Sequence, residues 1–251
     1  MPPAHLSVRA VTFDFWNTLL RADDAGVRDR RMAAWLGLLA GEGLELGVEV
    51  VDGAMRHAVG RFDDHWRRNE FYGASEAVGD VLAHLGIEVS PATQRQMVEA
   101  IVDPDPTHAP PPTPNVVEAI EELRRRGIRI GIVCDVGLAP STTLRRYLTD
   151  HGMLGLFDHW SFSDEVGTFK PDPAIFRHAL AGLGGVDPSE AAHVGDLRRT
   201  DIAGALGMGI RAVRYAGVFD DPGSDADGSD AVEGDAVIAD HAGLLEALEL
   251  R

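Results

Sequence analysis

From residue 115 onward the chain alternates helices and strands with little in between, and that rhythm leaves few folds open. VVEAIEELRRRG has the helical period and leads into the apolar run IRIGIVCD. TTLRRYLTDHG is followed by HWSFSD, PAIFRHALAGLG by AAHVGD, and TDIAGALGMG by IRAVRY, with AVIAD and HAGLLEALEL closing the chain. Parallel neighbours need a crossover connection, usually a helix, so this alternation predicts a parallel sheet with helices on both faces. Residues 6–14 read as a buried first strand that precedes the series. The expected fold is α/β: a doubly wound, Rossmann-like parallel sheet.

A different rhythm interrupts it. From about residue 24 to 103 the pattern is helical: Val51, Met55, Val59, Phe62 and Trp66 recur at spacings of three and four. That makes one apolar stripe, expected to be bundle core. RMAAWLGLLA, ASEAVGDVLAHLG and PATQRQMVEAIV add three more amphipathic segments of bundle length. DPDPTHAPPPTP, residues 103–114, is a stiff proline linker and a natural boundary. The expected organisation is a sheet domain of residues 1–20 and 104–251 with a helical bundle, 21–103, inserted. Residues 220–235 form an acidic, glycine-rich loop. Its DADGSD resembles a calcium loop only superficially, lacking the distal glutamate and the flanking helices.

Composition removes several classes of function. Of the 251 residues 45% are hydrophobic and 25% charged, the balance of a globular protein. No apolar run approaches the roughly 20 residues that span a bilayer. MPPAHLSVRAV lacks the charged-then-apolar order of a signal peptide, and the one cysteine, Cys134, suits a reducing compartment. The expectation is a cytoplasmic protein, monomeric or homodimeric. A formal charge of -17 repels nucleic acid and anionic membrane, so neither is expected as a partner. It also repels a phosphorylated metabolite, so an anion site would need its own local positive charge. Of 23 basic residues 22 are arginine, and the lone lysine is Lys170. A compact ammonium does what a planar guanidinium cannot, so its survival asks for a chemical reason.

In doubly wound sheets the chemistry gathers at the carboxyl ends of the strands. Asp14, Cys134 with Asp135, and Asp196 stand at three such ends, with Lys170 in the loop after another. In order, FDFWNTL, IGIVCD, GTFKPDPAIF and HVGDLRRTDIAGA resemble the four motifs of the haloacid dehalogenase superfamily of hydrolases. The resemblance covers nearly the whole chain, and the helical insert is similar to that family's mobile cap. It implies that Asp14 is the nucleophile and that Lys170 pairs with it and with the substrate. It implies that Asp196 and Asp201 belong to a Mg2+ site completed by Asp14 and the main-chain carbonyl of Trp16. Trp16, Asn17, Thr18, Cys134 and Asp135 would line the place of a small phosphorylated substrate. For Asp196 and Asp201 taken alone, a helix N-cap and a first-turn acid are the ordinary explanations.

Two motifs depart from the family. Its phosphatases place a second aspartate two residues after the nucleophile, to protonate the leaving oxygen; here stands Trp16. An indole has one N–H donor and transfers no proton near neutral pH. The family's dehalogenases are also aromatic there, since a halide leaves unprotonated, yet they lack the acid kept here as Asp196. Three readings follow: a leaving group that departs unaided, a proton supplied by Asp135, Glu70 or His65, or an impaired site used for binding. Cys134 replaces a serine or threonine whose hydroxyl would bond phosphate, and Asp135 replaces an asparagine. A Schiff-base mechanism needs a second lysine and is excluded. The expected function is Mg2+-dependent phosphate-ester hydrolysis through an aspartyl-phosphate at Asp14. A metal-independent dehalogenase and a ligand-binding or interaction module are the alternatives.

Overall fold

The computed structural model describes residues 8–22, 26–103, 107, 109–223 and 232–250. In chain order the elements are β1 (Ala10–Phe13), α1 (Val27–Gly41), α2 (Val48–Arg67), α3 (Ala74–Leu85), α4 (Pro91–Val102) and α5 (Val116–Arg125). Then come β2 (Arg129–Cys134), α6 (Ser141–Asp150), β3 (His159–Phe162), α7 (Ser163–Val166), α8 (Pro173–Gly182) and β4 (Ala191–Gly195). A π-turn (Arg198–Ile202) leads into α9 (Ala203–Gly207), followed by β5 (Arg211–Tyr215), β6 (Ala236–Ile238) and α10 (Leu244–Ala247). The start of the expected first strand, part of the proline linker and the DADGSD stretch lie outside the described residues.

The sheet has six strands in the order β3-β2-β1-β4-β5-β6, every pairing parallel. Two alternating faces of β1 identify the two helical layers. On one face Thr12 lies beside His193, whose ring meets the edge of Phe176 from α8. On the other, Phe13 meets His241, which precedes α10. The sheet is thus covered on both sides, as the apolar strands predict. β1 is shorter than its sequence suggests. Its ladder runs one bond further, Asp14 N–H donating to the Val194 carbonyl at 2.8 Å, and the chain then turns away.

By contacts the chain divides into two units. One is Met1–Ala22, Pro110–Asp135 and Leu148–Arg251; the other is Asp23–Ala109 and Val136–Tyr147. The segment 136–147, placed with the sheet by the sequence reading, groups with the helices. Local chemistry sets the helix ends in the second unit. Ser90 caps α4, accepting from Thr93 N–H at 3.2 Å ahead of Pro91. Glu76 accepts from Gly73 N–H at the start of α3, and Gly86 ends it at φ 65°.

Its core gathers Trp35, Leu39, Val51, Val78, Val81 and Met97, all fully buried. The stripe expected on α2 is only partly core: Val51 is buried, while Val59 is 54% exposed and Met55, Phe62 and Trp66 are half-buried. The buried row instead runs Val51, Ala54, Ala58. Two alanines let neighbouring backbones approach closely, and the larger side chains flank that seam. Among the described residues no helix is long and apolar enough to cross a membrane.

Trp35 also satisfies its polar handle, Nε1 donating to the Met97 carbonyl at 3.0 Å. Replacing it with alanine removes both the fill and the bond. Trp35→Ala should therefore cost about 3–5 kcal/mol, read as a lowered urea midpoint for the helical unit.

Candidate active site

Three adjacent strands end at the same edge of the sheet, and each places an acid as its first residue beyond its own end. Asp14 follows β1, Asp135 follows β2 and Asp196 follows β4. Between β1 and β4 the connections diverge to opposite sides of the sheet, which opens a crevice at the strands' carboxyl ends.

The turn after β1 is built by its own backbone. Leu19 and Leu20 N–H both donate to the Phe15 carbonyl, at 2.9 and 3.1 Å. Asn17 N–H donates to Leu20 O at 2.7 Å, with Asn17 at φ 56°, a left-handed conformation that asparagine tolerates better than most residues. Asn17 Nδ2 reaches Asp196 Oδ2 at 3.4 Å. The Thr18 carbonyl accepts two bonds from distant parts of the chain, Thr113 Oγ1 at 2.6 Å and His241 Nε2 at 2.9 Å. Thr18 itself is fully buried, its hydroxyl without a hydrogen-bond partner among the described residues. Trp16 is half-buried, its ring edge-on to Phe15 at 5.1 Å between centroids.

Lys170 is the centre of the cluster. Its side chain is 2% exposed, and Nζ donates to Asp14 Oδ1 at 2.5 Å and to Asp201 Oδ1 at 2.6 Å. Its own N–H donates to Asp135 Oδ1 at 2.8 Å. Asp201 is placed by the π-turn, where both Asp201 and Ile202 N–H return to the Leu197 carbonyl. The space it enters exists because residue 195 is glycine: a Cβ there would lie 2.3 Å from Asp201 Cγ. Below it His193 Nε2 sits 3.1 Å from Asp201 Oδ1, with Thr12 Oγ1 2.9 Å from its Nδ1.

Burial and charge together set the protonation. Burial pushes the Lys170 ammonium down, but Asp14, Asp201 and Asp135 outweigh it and hold the group well above its usual range. Burial likewise raises Asp201, yet Lys170 and the His193 hydrogen bond keep its carboxyl below the ordinary value. Asp14 is raised by burial, against the pull of Lys170. Asp196 is raised by burial and then by Asp14 and Asp201, with Lys170 and the Asn17 bond opposing. Asp135 is pushed up to about 6 by burial, with Lys170 opposing. The Cys134 thiol is fully buried and driven well above its usual range by burial, so it stays protonated.

Ligand atoms of Asp14, Asp196 and Asp201 all lie within 4.8 Å of one another. Two of the three buried carboxylates share one ammonium, and Asp196 has no cation bonded to it among the described residues. Hard oxygen donors with unbalanced negative charge fit Mg2+. The expected residues Asp14, Asn17, Asp135, Lys170, Asp196 and Asp201 thus come together through direct bonds. Glu70 and His65 lie in the helical unit, 3.3 Å from each other. Three residues escaped the sequence reading: Thr12, His193 and Gly195. The visible signal was a histidine inside the apolar strand AAHVG.

Acids at the ends of parallel strands, joined through one buried lysine, define a class of Rossmann-like α/β enzyme. A sequence profile of the haloacid dehalogenase-like hydrolases matches residues 8–209, and the chain belongs to that family of hydrolases. It is 30% identical over 208 residues to the glyceraldehyde 3-phosphate phosphatase of Methanopyrus kandleri, spanning 82% of this chain and 83% of that one. A 2-haloacid dehalogenase of Pseudomonas syringae pv. tomato aligns with a TM-score of 0.65 at 25% identity, over 96% of this chain and 98% of its own. A HAD phosphatase of Thermococcus onnurineus aligns equally well in fold, TM-score 0.65, at 23% identity over 96% and 98% of the two chains.

Lys170→Arg preserves charge but not shape. A guanidinium is too broad for a site bounded by two carboxylate oxygens at hydrogen-bond distance. The variant should fold, by circular dichroism, and lose about 100-fold in kcat, as displaced reacting groups do.

Proposed function

We propose that the protein is a Mg2+-dependent phosphatase acting on a small phosphorylated metabolite through an aspartyl-phosphate at Asp14. The observation that carries this is the buried Lys170 bridge between Asp14 and Asp201, with Asp196 beside it. The phosphatase name of the Methanopyrus relative supports the substrate class.

In this reading Asp14 Oδ1 is tied to Lys170 and Oδ2 is the attacking atom. The Asp14 oxygen forms a bond to phosphorus as the bond to the leaving oxygen breaks. Water then attacks the acyl phosphate, releasing inorganic phosphate and restoring the carboxylate. Asp14, Asp196 and Asp201, with the Trp16 carbonyl, would hold the metal ion. Mg2+ bound there supplies positive charge beside the phosphoryl oxygens. Burial raises the Asp14 carboxyl to about 7 and Lys170 opposes that rise, favouring the ionised nucleophile, while Asn17 steadies Asp196.

Trp16 takes no part in proton transfer. The favoured substrates are therefore those whose leaving group departs unprotonated, such as acyl phosphates or esters of acidic alcohols. Asp135 accepts from the Lys170 main-chain N–H and is bonded to neither the lysine ammonium nor His193, and a carboxyl near pH 6 is suited to proton donation. If it supplies the proton, the rate falls as pH rises through about 6, because the acid form is lost. A metal-independent dehalogenase is the second reading, favoured by Trp16 and by the likeness to the Pseudomonas 2-haloacid dehalogenase and opposed by the retained Asp196.

Asp14→Asn should abolish turnover in a folded protein, and excess chelator should silence the wild type. Asp196→Asn should raise the Mg2+ concentration needed for half-maximal rate. Full activity in chelator, with halide released from a 2-haloacid, would establish the dehalogenase instead.

A second measurement concerns the proton. Log kcat of the wild type should depend steeply on leaving-group pKa, with p-nitrophenyl phosphate cleaved well and alkyl phosphates slowly. Trp16→Asp should flatten that slope, alkyl phosphates gaining most, within the 100- to 10,000-fold scope of roughly what general acids supply. Shallow slopes in both proteins would assign the proton to Asp135.

A further inference from the structure

We propose that His193 is a positioning residue that orients the Asp201 carboxylate, and through it the ammonium that faces the nucleophile. The proposal rests on the phosphatase reading for its kinetic consequences, but its geometry stands apart from it.

The case starts from counting donors and acceptors. Asp201 Oδ1 receives Lys170 Nζ at 2.6 Å and His193 Nε2 at 3.1 Å, while Oδ2 receives Leu197 N–H at 3.0 Å. A carboxylate has about four acceptor directions, so three are occupied by the protein's own donors and one remains. That carboxylate is set by its neighbours before any ligand arrives. An ionised carboxylate only accepts, so His193 Nε2 carries the proton. In the neutral ring Nδ1 is then an acceptor, and the Thr12 hydroxyl donates its one proton to it at 2.9 Å in preference to the Ala192 carbonyl at 3.3 Å. Thr12 and His193 are direct partners across β1 and β4, so the sheet register itself fixes their meeting. The ring is fully buried and packs edge-on against Phe176 at 5.3 Å.

A continuous chain results: Thr12, His193, Asp201, Lys170, Asp14. Each hydrogen bond sets the direction of the next. Without the imidazole donor, Asp201 is held only by Lys170 and the Leu197 N–H, and the oxygen that centres Nζ loses its second fixed partner. The substrate touches none of Thr12 or His193; their effect passes through Asp201.

The test combines spectroscopy with two variants. In 15N-histidine-labelled wild type at neutral pH, long-range 1H–15N correlation should show His193 as the neutral Nε2–H tautomer. The Nδ1–H tautomer or an imidazolium would overturn the proposal without reference to activity. His193→Gln keeps a donor for Asp201 and an acceptor for Thr12 in one planar amide; His193→Leu keeps neither. Calorimetry of Mg2+ binding to substrate-free protein should show the leucine variant weakened by about 10- to 100-fold, with a comparable loss in kcat and little change in KM. The glutamine variant should recover most of both. Equal metal affinity and kcat in wild type and His193→Leu would also overturn the proposal. Should His193→Leu fail to fold, the tautomer and the glutamine variant still decide. A wild type that turns over no phosphate ester removes the phosphatase reading and leaves the tautomer result standing.

Discussion

The ammonium of Lys170, enclosed between two carboxylates, is the interaction on which the rest of the site depends. An unpaired ammonium at 2% exposure would be untenable, and an unpaired Asp201 beneath it equally so. Their pairing offsets much of the desolvation cost, but removing one partner of a buried pair costs about 3–5 kcal/mol. The arrangement therefore adds less to stability than its short distances suggest. What it holds is a reactive geometry. Three acids sit at one crevice with a single cation between them, and the residual negative charge is a standing attraction for a divalent ion.

A chain of formal charge -17 repels a phosphate as a whole. In the proposed reading, the buried ammonium and a divalent ion held by the acids would offset that repulsion over a few ångströms. Two of the arginines serve a different purpose. Arg214 bonds Asp220 and Glu233, and Arg124 bonds Asp158, tying loops and helix ends rather than facing the strand-end crevice. The one place where a small cation is required is the one place that lysine occurs.

The turn that carries Trp16, Asn17 and Thr18 is supported from far away in sequence. Its carbonyl at Thr18 is held by Thr113, which precedes α5, and by His241, near the end of the chain. His241 stacks on Tyr215 at 4.3 Å, and burial keeps its ring neutral, down to about 4, so it serves as a fixed donor. One residue from mid-chain and one from near its end thus brace the segment that follows Asp14. A loop so placed can hold a left-handed asparagine and still present Asp14 in one orientation.

Much of this was legible in the chain. Alternation of apolar runs and helical periods specified a parallel sheet, and acids at strand ends pointed to Asp14, Asp135 and Asp196. The uniqueness of Lys170 among the bases marked it before any coordinate was known. Less legible was whatever depends on two segments meeting. The stripe on α2 was periodic enough to suggest core, but which side is buried depends on the alanine seam at Ala54 and Ala58. Gly195 reads as an ordinary strand-end glycine until Asp201 is seen in the space its missing Cβ leaves. His193 reads as a buried histidine until the register sets Thr12 on one nitrogen and the π-turn brings Asp201 to the other. Periodicity and residue chemistry are local properties, so the sequence by itself determined the elements, their order and the reactive residue types. Orientation and partnership are properties of packed neighbours, so only the tertiary structure decided which atoms share a proton and which carboxylate the lysine holds.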